Sequence, residues 1–292
     1  MISINTNYGG LFASKAASQS QRMLDTAMER LSTGKRINYA TDDAAGQAIA
    51  VRLQAEIEGI AMATRNVADA QSLMDTADGA LGETHNILLR MRELAVQAST
   101  GTLNTDDNAA LDAEFQQLEA EIDRINTSSK WAGSDLFTGS ARVFHIGTKA
   151  SDTLSHTIAS MGAHDLGVDS SGADNKLSTD TGGVAGDDTD NVDADLTDAT
   201  KAAAMITAVD NAIKLVSTER GKLGAVSNRL SSTISNLDQV GVNLSASKGR
   251  IADADFAAET GNLAKNQILQ QAATAMLAQA NASKGNILTL IS

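Results

Sequence analysis

Four histidines, His85, His145, His156 and His164, are the side chains in this sequence best suited to hold a metal ion or move a proton. They share no metal-ligand spacing, and His85 falls inside a long heptad pattern as a helix-surface or seam residue. Neither His-Glu-x-x-His nor Gly-x-Ser-x-Gly occurs. Ser32-Thr33-Gly34-Lys35-Arg36 hints at a phosphate-binding loop. Glu29 stands where its first glycine is needed, and Arg36 stands where a serine or threonine must follow the lysine. Asp187-Asp188-Thr189-Asp190 could attract calcium weakly, but it lacks the glycine and terminal glutamate of an EF-hand and reads as a solvated acidic loop. Asn126-Thr127-Ser128 fits a glycosylation triplet, a pattern that arises often by chance. Without cysteine there is no disulfide, thiolate metal site or sulfur nucleophile. The expectation is no catalytic residue, no metal, no cofactor and no enzyme.

The elements that would carry any such groups are long helices. One row of residues at alternating steps of three and four runs from Ile49 through Leu53, Ile60, Val67, Met74, Leu81, Leu88 and Met91 to Ala98, broken only by Glu56 and Thr84. A second runs from Ala202 through Val209, Val216, Leu223, Leu230, Ile234 and Leu237 to Leu244, with Arg220, Ser227 and Gly241 inside it. Such a repeat keeps one face of a helix against a partner over many turns. Proline, which breaks helix interiors, is absent from all 292 residues, and aromatics make up only 3%.

Shorter rows lie near the ends: Ala17, Ser20, Leu24, Ala27 and Leu31, then Leu269, Ala273, Met276, Ala280, Ser283, Ile287 and Leu290. Thr41-Asp42-Asp43 reads as the N-cap region of the long helix. A third helix has the row Leu111, Phe115, Leu118, Ile122 and Ile125, with Asp106 or Asp107 as cap and Glu119, Glu121 and Asp123 on its wet face. Trp131 to Phe137 breaks the helical pattern, and short strands follow to about Ile158, including Val143 to Ile146. The expected fold is mainly α: a long antiparallel coiled-coil rod formed by the two halves, with a small β-rich region and a short variable insertion at the middle.

The expected divisions are residues 1–40 (terminal helical half), 41–164 (rod and β region), 165–199 (acidic insertion), 200–249 (rod) and 250–292 (second terminal half). The ends should pair with each other, and the two long rows should pair between them.

The net charge of −13 argues against nucleic acid and against a polybasic membrane anchor. No segment approaches the apolar length of a membrane span, and the start lacks the apolar region of a cleaved secretory signal.

Arg30-Leu31-Ser32-Thr33-Gly34-Lys35-Arg36-Ile37-Asn38, with Asp42 to Ala50 after it, closely resembles the N-terminal signature of bacterial flagellins. Arg90 to Gln97 and Glu121 to Ile125 resemble further blocks of that family, as do Gly224 to Leu230, Arg250 to Phe256, Ile268 to Ala272 and Met276 to Asn281. Departures are Trp131-Ala132-Gly133 where Phe-Asn-Gly is common, Gly249 where a serine is usual, and the lack of a proline near Ser283-Lys284-Gly285.

The resemblance implies an extracellular filament subunit for motility, exported unfolded by the flagellar type III apparatus without a cleaved signal. It implies as partners the subunit itself, the filament cap, the hook–filament junction proteins, an export chaperone and a host Toll-like receptor contacted at Arg90, Leu94 and Glu114. Leu24, Leu31, Leu269, Met276, Ile287 and Leu290 would line the filament core. A junction protein is the nearest alternative. A chemoreceptor-type coiled coil would need an anchor or docking tip, and a hydrolase would need a catalytic constellation.

The terminal rows are thin, and apolar burial stabilises by only about 25 cal/mol per Å². Residues before about Ala40 and after about Gly249 are therefore expected to be disordered in the monomer and to fold when neighbouring copies cover them.

Overall fold

A computed structural model describes residues 6–168 and 196–291, with side chains of the final helix described as far as Ser283. The order is α1 (Tyr8–Thr33), α2 (Ala44–Ala98), α3 (Thr105–Ser128), β1 (Lys130–Trp131), β2 (Ser134–Asp135), β3 (Ala141–His145), β4 (Thr153–Thr157), α4 (Ala163–Leu166), α5 (Ala199–Ala252) and α6 (Phe256–Ile291). The protein is mainly α-helical, and α2 and α5 run for 55 and 54 residues. The chain divides into a terminal unit, residues 1–58 with 241–292, and a central unit, residues 59–240.

The central unit holds the larger core. On α2, Ile60, Val67, Met74, Leu81, Leu88 and Met91 are buried, as are the alanines of the same row. Thr84, a break in that row, is buried too, because its hydroxyl donates to the Ala80 carbonyl at 3.2 Å and needs no outside partner. On α5, Leu223 and Leu230 are buried and Ile234 and Leu237 are half-buried. The pairing is antiparallel, since Arg92 meets Asp210, Asp78 meets Arg220 and Gln71 meets Ser231.

α3 adds Phe115 and Ile122 to this core. Its cap is Asn104, not Asp106 or Asp107. The Asn104 side chain accepts the Asp107 N–H at 2.7 Å, and the Asp107 carboxylate accepts the Asn104 N–H at 3.3 Å, a reciprocal capping box. Glu119 is buried, against its expected place on the wet face. It lies four residues after Phe115 and three before Ile122, so helical geometry puts it on the apolar side.

Both hairpins are antiparallel. β1 and β2 are joined by Ala132 and Gly133, at φ 48° and 81°. Two left-handed residues give a turn whose twist suits the flanking strands. The expected strand at Val143 to Ile146 is β3, which pairs with β4 so that Phe144 faces Leu154 and Arg142 faces His156.

Leu166, Val168 and Leu196, at the edges of the stretch read as an acidic insertion, are fully buried in the central core. Single apolar residues in polar surroundings carry no periodicity, so their burial is not visible in the sequence. Asp187 to Asp190 lie outside the described residues.

Candidate assembly surface

The terminal unit is built on α1 against α6. α1 turns inward Gly10, Ala13, Ser20, Leu24 and Ala27, with Ala17 and Leu31 half-buried. The row expected there is the one the structure uses. Most of these side chains are no larger than serine, so the two backbones approach closely and little apolar area is covered.

α6 departs from expectation. Thr260 aside, its buried or half-buried positions are Glu259, Leu263, Asn266, Gln270, Ala273, Leu277 and Ala280, a heptad row containing three polar residues. Leu269 and Met276, expected in the seam, point away from it and are 43% and 64% exposed. Ala273 and Ala280 belong to both rows. Apolarity alone selects the row with the larger neighbours, whereas the fold turns those neighbours outward. Leu263 and Leu277 were recognisable only by allowing glutamate and asparagine into the repeat. The side chains of Ile287 and Leu290 lie outside the described residues.

Glu259 anchors the polar part of this seam. Its carboxylate accepts Asn262 Nδ2 at 2.6 Å and Arg30 Nη1 at 2.8 Å. These two donors, Asn262 first, hold its pKa below the ordinary carboxylate value. Two further pairs fix the register: Gln270 Nε2 donates to the Gln21 side-chain carbonyl, and Asn7 Nδ2 donates to Asn281 Oδ1 at 3.2 Å. A groove of about 260 Å³ lies beside this network, lined by Met23, Thr26, Arg30, Asn262 and Lys265 among others.

The link after α1 is also tied down. Gly34, at φ 69°, ends the helix in the left-handed region and its carbonyl accepts the Ala254 N–H at 3.0 Å. The Arg36 N–H donates to the Ala252 carbonyl at 2.7 Å. The Asp42 carboxylate accepts the N–H groups of Tyr39 and Asn38, which hold its pKa down. Asp43 caps α2 by accepting the Gly46 N–H at 2.8 Å, within the stretch expected to do so. A side chain at Gly46 would displace its neighbours: an added Cβ would lie 2.5 Å from the Asp43 carboxylate and 2.7 Å from the Ile37 side chain. Leu53, expected in the rod seam, is half-buried.

The outer faces of this unit carry large apolar side chains among polar ones. Tyr8, Leu11, Phe12, Phe256, Ile268 and Met276 are all exposed, and most of the exposed large apolar side chains among the described residues lie in this unit. α6 therefore carries large apolar side chains, Ile268, Leu269 and Met276, that α1 does not cover.

In the central unit, Arg90 donates to Glu114 at 2.8 and 3.0 Å and to Glu93 at 3.0 Å. These carboxylates, Glu114 first, raise its pKa. Leu94, grouped with them in the sequence reading, is fully buried in the core and does not reach the surface. His85 lies half-buried on α2, His145 and His156 lie on β3 and β4, and His164 lies on α4. Among the described residues no three histidine or acidic groups converge on a possible metal site, and no helix is long and apolar enough to cross a membrane.

A terminal helix pair whose own seam is thin and which leaves large apolar side chains uncovered fits a subunit of a larger helical assembly. Residues 4–142 match the bacterial flagellin N-terminal helical region, and residues 206–291 match the bacterial flagellin C-terminal helical region. The chain belongs to the bacterial flagellin family. It is 40% identical to the flagellin of Bacillus subtilis (strain 168), with 99% of each chain covered. It is 42% identical to the flagellin of Halalkalibacterium halodurans, over 91% of this chain and 90% of that one. The structure of a putative flagellar hook-associated protein from Vibrio parahaemolyticus is similar with a TM-score of 0.58, over 73% of this chain and all of that one. At 16% identity that likeness shows the fold alone. Flagellins are structural proteins, and the chain is not an enzyme.

Proposed function

We infer that this chain is the structural subunit of an extracellular bacterial flagellar filament and that it assembles with copies of itself for motility. The observation that carries this is α6, whose exposed Ile268, Leu269 and Met276 lie outside a seam already closed by α1. A surface that is not self-complementary by two-fold symmetry joins copies head to tail and propagates as an open helix where the rotation does not close a ring. The hook–filament junction alternative is not favoured, because the relatives at 40% and 42% identity are flagellins. Electron microscopy of the purified chain after assembly tests this: long filaments are expected. Deleting the residues after Ile268 should abolish them while the central unit stays helical, and normal filaments from that truncation would refute the assignment.

In this reading residues 1–40 and 250–292 belong to the inner core of the filament and residues 41–164 and 200–249 to the rod; of residues 165–199, Leu166, Val168 and Leu196 pack in the central core and 169–195 lie outside the described residues. The thin α1–α6 seam supports ordering of the terminal helices by polymerisation. Strong amide protection of α1 and α6 in the free subunit would count against it. Export through the type III apparatus without a cleaved signal, with a chaperone, the cap and the junction proteins as partners, follows the same reading. An export-deficient background that still released the chain would overturn the route.

Recognition by a Toll-like receptor would use Arg90 and Glu114 at the surface, with Leu94 holding α2 in place beneath them. A receptor-reporter assay comparing the parent with Arg90→Ala decides this: a silent parent or an equally active variant rejects it.

A further inference from the structure

We propose that Met23, Met28 and Met276 are separate oxidation-sensitive positions, spread along α1 and α6, through which peroxide limits assembly of the subunit; this rests on the filament reading above. The chain has no cysteine, so methionine is its only readily oxidised sulfur. The described methionines fall into two sharp groups. Met74, Met91, Met161 and Met205 are buried in the central core. Met23, Met28, Met62 and Met276 are 45%, 54%, 50% and 64% exposed.

Three of the exposed four lie on α1 and α6, outside the seam that joins those helices. Met23 also lines the groove beside Arg30 and Lys265. Their thioethers are thus open to a small oxidant in the free subunit and belong to the apolar faces that other copies would cover. Susceptibility of methionine follows exposure.

The reaction is a two-electron oxygen transfer. The peroxide O–O bond breaks, one oxygen bonds to the thioether sulfur as a sulfoxide, and the other leaves as water. The sulfur is oxidised and the peroxide reduced, and no further reactant is required. Each sulfoxide places a strong dipole where the assembly needs an apolar contact, and burying it without a partner is unfavourable. None of the three lies in the row that joins α1 to α6, so the sulfoxides act on the faces left for other copies.

The test treats the full-length subunit with hydrogen peroxide, maps oxidation by peptide mass spectrometry, and measures assembly seeded with short filament pieces. Expected is one added oxygen at Met23, Met28, Met62 and Met276 and none at the four buried methionines. The subunit concentration needed for growth should rise by about tenfold or more. The triple variant Met23→Leu, Met28→Leu, Met276→Leu should assemble before peroxide and remain competent after it. Met62→Leu alone should give no protection. Normal growth of oxidised parent overturns the inference, as does a triple variant that loses growth to peroxide as the parent does. Untreated parent that never forms filaments overturns the filament reading itself, and this inference with it.

Discussion

Arg220 and Asp78 join α5 to α2 by a forked pair, with Nε donating at 2.7 Å and Nη2 at 3.2 Å to the two carboxylate oxygens. Arg220 occupies a position where the heptad row calls for an apolar side chain. Its methylene stem covers the seam while the guanidinium reaches out to the carboxylate. That bond raises the Arg220 pKa. Both side chains remain partly exposed, at 38% and 43%, so water screens the pair.

The central unit should therefore depend on packing far more than on this pair. A double-mutant cycle of Arg220→Ala and Asp78→Ala is expected to give a coupling below about 1 kcal/mol. Leu88→Ala, which empties a fully buried site, is expected to cost about 2–5 kcal/mol. Urea unfolding of the variants compares the two, and a coupling larger than the Leu88 loss would reverse the ordering.

The capping box makes a prediction that separates neighbouring residues. Asn104→Ala should destabilise the central unit by about 1 kcal/mol. Asp106→Ala, whose side chain caps nothing, should stay within about 0.5 kcal/mol. Equal effects in thermal melts would return the cap to the acidic residues.

Acid should weaken the terminal helix pair through Glu259. Its folded pKa is depressed, by Asn262 and then Arg30, so it stabilises fully above the ordinary glutamate value of about 4.3. That contribution is lost as the pH falls through the lower folded value. Parent filaments should therefore lose more thermal stability between about pH 6 and about pH 3 than Glu259→Gln filaments. Identical pH profiles would show that this carboxylate is not responsible.

Leu277 and Leu269 should act at different places. Leu277→Ala weakens α1 against α6 and should lower amide protection on both helices within filaments. Leu269→Ala leaves that seam intact and should raise the subunit concentration required for growth. The reverse pattern would restore Leu269 to the seam.

Much of this protein is legible in its sequence because the relevant information is local and repeated. Of the row from Ile49 to Ala98, Ile49 is 39% exposed and Leu53 half-buried, while α2 buries the stretch from Ile60 onward as one stripe that each turn repeats. The same holds for α1, where Ser20, Leu24 and Ala27 are buried as the spacing predicts. The family signature at Arg30 to Asn38 is equally local, and so is the absence of any recognised catalytic motif.

What only the tertiary structure decided was which side of an apolar helix is covered and by what. In α6 two overlapping rows share Ala273 and Ala280, and hydrophobicity favours the one that faces outward. The inward row is settled by α1, whose small side chains and Arg30 accept Glu259, Asn266 and Leu277. Glu119, Leu94 and the isolated Leu166, Val168 and Leu196 follow the same rule. Periodicity marks a face along one segment, but burial is a relation between segments, and it exists only once the distant partner is in place.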